Sequence, residues 1–318
     1  MNDVQTAEIS ALPVEEMLRL ELAQGDAVIA TARPILRHLL AHDDHSMFND
    51  EVIARVRGMM QDVAFQLLFA LAEAAGVDDR IQLIEERRDA LAADLFNDTD
   101  FLVHAHALTL EAQLTERLQR RSGVDGVLPS LLQDCTAAPQ PAQASLAMAV
   151  MAAQARFMQY FRRMELPLAE LPGDLLHRAL HLLDDHAGGH ASALEAAKAT
   201  LRERYAEGES RLGLLGRMVA GLAARAPKAL AIDHAGVAVF TTALTMASGQ
   251  ARDLTILSFG DRQFARLALA LRAAGLDPGE VEAQFLYLHP DIELPARFDT
   301  ITIARAAALL RESGADPG

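Results

Sequence analysis

What is scarce in this 318-residue chain limits its fold and chemistry more sharply than what is abundant. It has one cysteine and no tryptophan, and aromatic residues make up 5% of it. A lone thiol, Cys135, forms no intramolecular disulfide and builds no cysteine zinc site. Its neighbours Gln133, Asp134 and Thr136 offer no histidine base. With few aromatics but 51% apolar residues, the core must be made of Leu, Ala, Val, Ile and Met. That mixture suits helix packed on helix, not the alternating Tyr, Trp, Thr and Val of a sandwich or barrel. Long apolar runs are also missing. The best, from Ala235 to Ala247, falls short of the about 20 residues that cross a bilayer and is interrupted by threonines. The first residues lack a basic start and an apolar stretch, so the expected location is cytoplasmic, with no membrane partner.

Positive charge is scarce too. Forty-four Asp and Glu against 29 Lys and Arg give a net charge of −15. A duplex-binding surface needs a basic footprint, and Arg87-Arg88, Arg120-Arg121 and Arg162-Arg163 are isolated doublets on helix faces, so no nucleic-acid partner is expected. Only Lys198 and Lys228 are lysines. With the heavy use of alanine, that arginine bias points to a GC-rich bacterial genome.

What is present is a recurring phrase. Ala70-Leu71-Ala72-Glu73-Ala74-Ala75-Gly76 precedes a polar turn and a new apolar run, and Ala243-Leu244-Thr245-Met246-Ala247-Ser248-Gly249 repeats it. Ala270-Leu271-Arg272-Ala273-Ala274-Gly275 is one residue shorter. Glycine closes a helix in the left-handed region and the polar turn caps the next one, so the phrase predicts consecutive antiparallel helices. The expected fold is all-α, stacked antiparallel helix hairpins of HEAT-like or irregular-bundle form, with about 12–14 helices. Gly25-Asp26 reads as a break between two helices, and Pro34 as a kink or the start of a new helix after Arg33. Met148, Met151, Phe157, Met158, Phe161 and Met164 form a stripe at helical spacing, read as core, with a partner groove or homodimer interface as the functional alternatives. The uncharged Thr136–Pro141 stretch suggests a boundary between an N-terminal helical region, 1–135, and a C-terminal one, 136–318.

The segment Gly25-Asp26-Ala27-Val28-Ile29-Ala30-Thr31-Ala32-Arg33-Pro34-Ile35-Leu36, followed by the acidic turn His42-Asp43-Asp44-His45, resembles an uncharacterised alphaproteobacterial helical family of HEAT-like repeats. Ala270–Asp277 is similar to that family's later helix–glycine–helix units. The resemblance covers about forty residues. It implies an interaction scaffold and carries over no catalytic residue.

Histidine is the one residue type with chemically suggestive spacing. His38/His42, His177/His181 and His186/His190 each stand four apart, so each pair shares a helix face. Random scatter of 11 histidines would give about 0.4 such pairs. In His177–His190, a zinc, iron or manganese ion can be drawn with His177, His181 and a carboxylate from Asp184 or Asp185, and His186 nearby. The competing reading is histidines facing the negative end of a helix dipole. His104 and His106 alternate across a helix, one expected buried and one exposed. His42-Asp43 resembles the His-Asp doublet of phosphohydrolases, but those need a further histidine about a helix hairpin upstream, and none precedes His38. The Glu-x-x-His di-iron signature, phosphate loops, dinucleotide fingerprints and the Gly-x-Ser-x-Gly elbow are absent. Ser130, Ser145 and Ser258 have no base fixed by local spacing.

The expected function is therefore a helical scaffold or adaptor that binds another protein, without a cofactor and without catalytic activity. The alternative is a metal-binding enzyme or sensor using His177, His181, His186 and Asp185 with a divalent ion.

Overall fold

The computed structural model describes residues 13–41, 50–260 and 263–313. The side chains of His38, His42 and His45 lie outside the described part. Fourteen α-helices and no strand occur among the described residues. The chain is all-α.

In order, α1 spans Val14–Ala41, α2 Asp50–Ala75, α3 Arg80–Asn97, α4 Thr99–Ser122, α5 Ser130–Thr136, α6 Pro141–Arg163 and α7 Gly173–Leu182. Then follow α8 Ala191–Arg204, α9 Arg211–Ala220, α10 Ile232–Ser248, α11 Arg252–Leu257, α12 Phe264–Ala273, α13 Pro278–Leu288 and α14 Ile303–Glu312. Short 3-10 turns join several of them. All three glycines of the recurring phrase, Gly76, Gly249 and Gly275, take positive φ at a helix end. Asp79 caps α3 by accepting from the Gln82 amide, and Asp277 and Glu280 form a reciprocal capping box at α13.

Two compact units are distinguishable. One gathers Met1–Ala32, Gln113–Ala144 and Met218–Gly318, and the other Arg33–Ala112 and Ser145–Arg217, as far as these are described. Each draws segments from both sides of the Pro139 stretch.

The second unit is organised around α2. Its inner face, Val56, Met60, Val63, Leu67 and Leu71, is fully buried, and it packs against α3 and against the much later α8. Helix α3 in turn meets α7. Contacts between helices far apart in sequence make this the irregular-bundle form of the expected fold. Arg55 ties α2 to α6, lying 3.9 Å over the Phe161 ring and donating to the Phe161 carbonyl at 2.7 Å. Phe161 and Met158 are buried while Met148 and Met164 are exposed, so the methionine stripe is core at its centre.

In the first unit, α12 packs on α14 and α10 on α5, α11 and α12. The break expected at Gly25-Asp26 is not there: α1 runs unbroken through Gly25, and its backbone continues through Pro34. Gly25 serves close approach. A Cβ there would stand 2.6 Å from Gln263 Oε1, and Gln263 Nε2 donates to the Gly25 carbonyl at 2.8 Å. Asp26 pairs with the fully buried guanidinium of Arg266. The residues that resemble turn punctuation are the ones a neighbouring helix sits on. Between His190 and Ala224 the chain forms α8, a 3-10 turn at Glu207–Glu209 that contains Gly208, and α9, which ends just before Gly221.

Candidate functional site

The strongest surface feature of the second unit lies on the outer side of α2. Phe65 and Phe69, one turn apart, are 36% and 38% exposed, and their rings stack at 6.0 Å. They form one wall of an open cleft of about 300 Å³. Leu168, Leu176 and Leu201 supply the other large apolar groups, and Gln66, Glu73, Arg204 and Tyr205 the polar ones. Arg80 lies 5.8 Å over the Phe69 ring and 3.8 Å from Glu73.

Opposite α2 stand α7, α8 and the connection between α6 and α7, and side chains of α2 hold that connection. Leu166 donates its amide to Asp62 Oδ2 at 2.8 Å. Gln66 donates to the Leu166 carbonyl and accepts from the Leu168 amide, each at 3.0 Å. One amide side chain thus pairs with the connection as a neighbouring strand would. Burial raises the pKa of Asp62, opposed by the Leu166 hydrogen bond. Tyr205 closes the far side by donating its hydroxyl to the Leu171 carbonyl at 2.7 Å. Burial first, then Glu207 and Asp174, push its pKa up to about 12, so it remains a donor through the physiological range.

Two other hollows differ in kind. Beneath the surface of the same unit a cavity of about 30 Å³ is bounded by Met59, Leu108, Phe157 and Arg211, room for a water or two and not for a substrate. In the first unit an open groove of about 530 Å³ is lined by Ala243, Met246, Ala247, Ala274, Gly275 and Leu276, from the second and third copies of the recurring phrase. Its carboxylate, Glu280, is already committed to the Asp277 amide at 2.8 Å. Recognition needs apolar lining together with convergent polar groups, which the Phe65–Phe69 cleft has.

The histidine run divides. His177 and His181 meet, Nε2 to Nε2, at 3.2 Å with rings edge to face. His181 Nδ1 lies 3.4 Å from Asp184 Oδ2, and Asp184 also takes the ammonium of Lys198. His186 goes elsewhere: its Nε2 meets Asp94 Oδ2 at 2.6 Å while Arg87 donates to its carbonyl at 2.6 Å. Asp185 is exposed, and His190 precedes α8 without making a side-chain cap. No group of three or more His, Cys, Asp or Glu side chains placed to hold a metal occurs among the described residues.

Local spacing gave no sign of the base beside Ser130. Its hydroxyl lies 2.5 Å from His234 Nδ1, and Asp134 Oδ2 is 3.8 Å from His234 Nε2. Hydroxyl, imidazole and carboxylate follow the order of a hydrolytic triad. The carboxylate is beyond hydrogen-bond reach, and Ser130 also donates to the His234 carbonyl at 3.3 Å, so the set ties α5 to α10.

Of the alternating pair on α4, His104 is buried and His106 partly so. Burial pushes His106 down to about 4 from its ordinary 6.5. Between those values the unfolded chain binds the proton and the folded chain does not. His106 therefore contributes stability that is full above pH 6.5 and is lost as the pH falls toward 4, by about 1–3 kcal/mol once partial exposure is allowed for. Denaturant titrations of wild type and His106→Leu at several pH values should show a shallower decline for the variant in that window. Parallel profiles would remove His106 from the account.

Comparison with family models, with curated proteins and with solved structures gave no match. Among the described residues no helix is long and apolar enough to cross a membrane.

Proposed function

We propose that the protein is a helical adaptor that binds another protein, and that the Phe65–Phe69 cleft is its contact surface. The observation that carries this reading is the pair of stacked, exposed phenylalanines. Apolar rings are left in water on a helix whose opposite face already supplies the core, and large aromatics in a shallow pocket are the usual anchors of an interface.

The cleft also suggests what the partner presents. Its apolar walls take one or two large side chains, and the exposed guanidinium of Arg204 at its edge favours a carboxylate beside them. An amphipathic helix with an apolar anchor and an acidic residue about one turn away satisfies both. A library of displayed helical peptides, selected on wild type and counter-selected on the Phe65→Ser/Phe69→Ser variant, tests this. Selected peptides should share that pattern and bind wild type saturably, and the variant should lose about 30-fold or more in affinity at unchanged fold. Failure to select any peptide, or equal binding to the variant, would overturn the assignment.

A further inference from the structure

We infer that His177 and His181 form a surface site for a divalent transition metal of the imidazole-preferring kind, binding copper(II) most tightly and nickel or zinc less so. The two rings project from successive turns of α7, and their Nε2 atoms stand 3.2 Å apart. Two nitrogens each about 2.0–2.1 Å from one tetrahedral ion stand about 3.3–3.4 Å apart, so the pair is spaced as adjacent ligands without any backbone movement. In the metal-free protein an Nε2–H of one ring donates to Nε2 of the other. With metal bound, both Nε2 lone pairs face the ion and each ring carries its proton on Nδ1.

The surroundings support that second state. The Asp184 carboxylate faces His181 Nδ1 at 3.4 Å, where it favours the proton on Nδ1 and leaves Nε2 to the metal. Lys198, whose side chain is 6% exposed, holds Asp184 in place. The pair sits in the last turns of α7, where the helix dipole favours a cation. The nearest fixed cation on the helix, Arg178, is neutralised by Asp98 and Asp100 at 3.2 and 2.7 Å. His181 is 64% exposed, so water fills the remaining coordination positions. Two imidazoles with open positions follow the general affinity order, which places copper(II) above nickel and zinc. His186, with its Nε2 on Asp94, takes no part.

The test is copper(II) titration of the full chain, made without an affinity tag, followed by calorimetry and electron paramagnetic resonance. One equivalent should give a signal with two imidazole nitrogens. His177→Ala/His181→Ala should remove that equivalent and its signal, His186→Ala should keep both, and Asp184→Asn should weaken binding about tenfold. Should the double variant retain the same equivalent and signal, or His186→Ala abolish them, the assignment is wrong. Circular dichroism of the double variant checks that a loss reflects ligands and not folding, since both residues are exposed.

Discussion

Glu111→Ala is expected to lower the free energy of unfolding by about 3–5 kcal/mol. The Glu111 carboxylate is completely buried and receives both Arg211 terminal nitrogens, Nη1 to Oε1 at 2.7 Å and Nη2 to Oε2 at 3.1 Å. Arg211 Nη1 also donates to Gln154 Oε1 at 3.1 Å, and the guanidinium lies 3.8 Å over the Phe157 ring. Truncating the carboxylate leaves a guanidinium in the core with one amide and a ring for company. That stranded charge, more than the lost attraction, sets the size of the effect. Glu111→Gln keeps an acceptor and should cost less. Glu111→Leu combined with Arg211→Met removes both charges and should recover most of the loss. Urea titrations of the four proteins give the answer: a single-variant loss below about 1 kcal/mol, or a double variant as weak as the single, would contradict this account.

Gly236→Ala should cost about 3 kcal/mol, whereas Gly249→Ala should cost about 1 kcal/mol. Gly236 sits inside α10 at φ 68°, ψ 165°, a region essentially reserved for glycine. A Cβ there would also stand 3.0 Å from Pro129 Cγ and 3.3 Å from the Asp125 carbonyl oxygen. Gly249 has φ 72°, but a Cβ would meet nothing within 4 Å. Both terms favour the larger loss at Gly236, since Gly249 at φ 72°, ψ 16° lies in the left-handed region that other residues enter at smaller cost. Thermal unfolding of both variants measures the difference, and equal shifts would contradict it. Because the kink aims the first turn of α10 at α5, Gly236→Ala should also loosen the Ser130–His234 contact.

The all-α class was legible because composition and helix-ending glycines are local properties. Gly76, Gly249 and Gly275 each do what the recurring phrase implies. The Gly25-Asp26 pair was misleading because its meaning lies in Gln263 and Arg266, more than two hundred positions away. The pairing of Glu111 with Arg211 left no sign in the sequence for the same reason, since a helical pattern shows which face is apolar and not which charges the fold brings together. The His177/His181 approach followed from four-residue spacing. The diversion of His186 did not, because Asp94 belongs to another helix. Phe65 and Phe69 did leave a trace: they are surplus to an apolar stripe that Val56, Met60, Val63, Leu67 and Leu71 already complete.

The three-part construction of the unit containing α1 bears on synthesis by the ribosome. Its first helix is fastened to two late ones: Glu15 pairs with Arg305 and Arg19 with Glu312 at 3.1 Å on α14, and Asp26 with Arg266 on α12. Those partners emerge last. The unit built on α2 has all its residues by Arg217, whereas the part of α1 up to Ala32 meets its partners on α12 and α14 only after they are made.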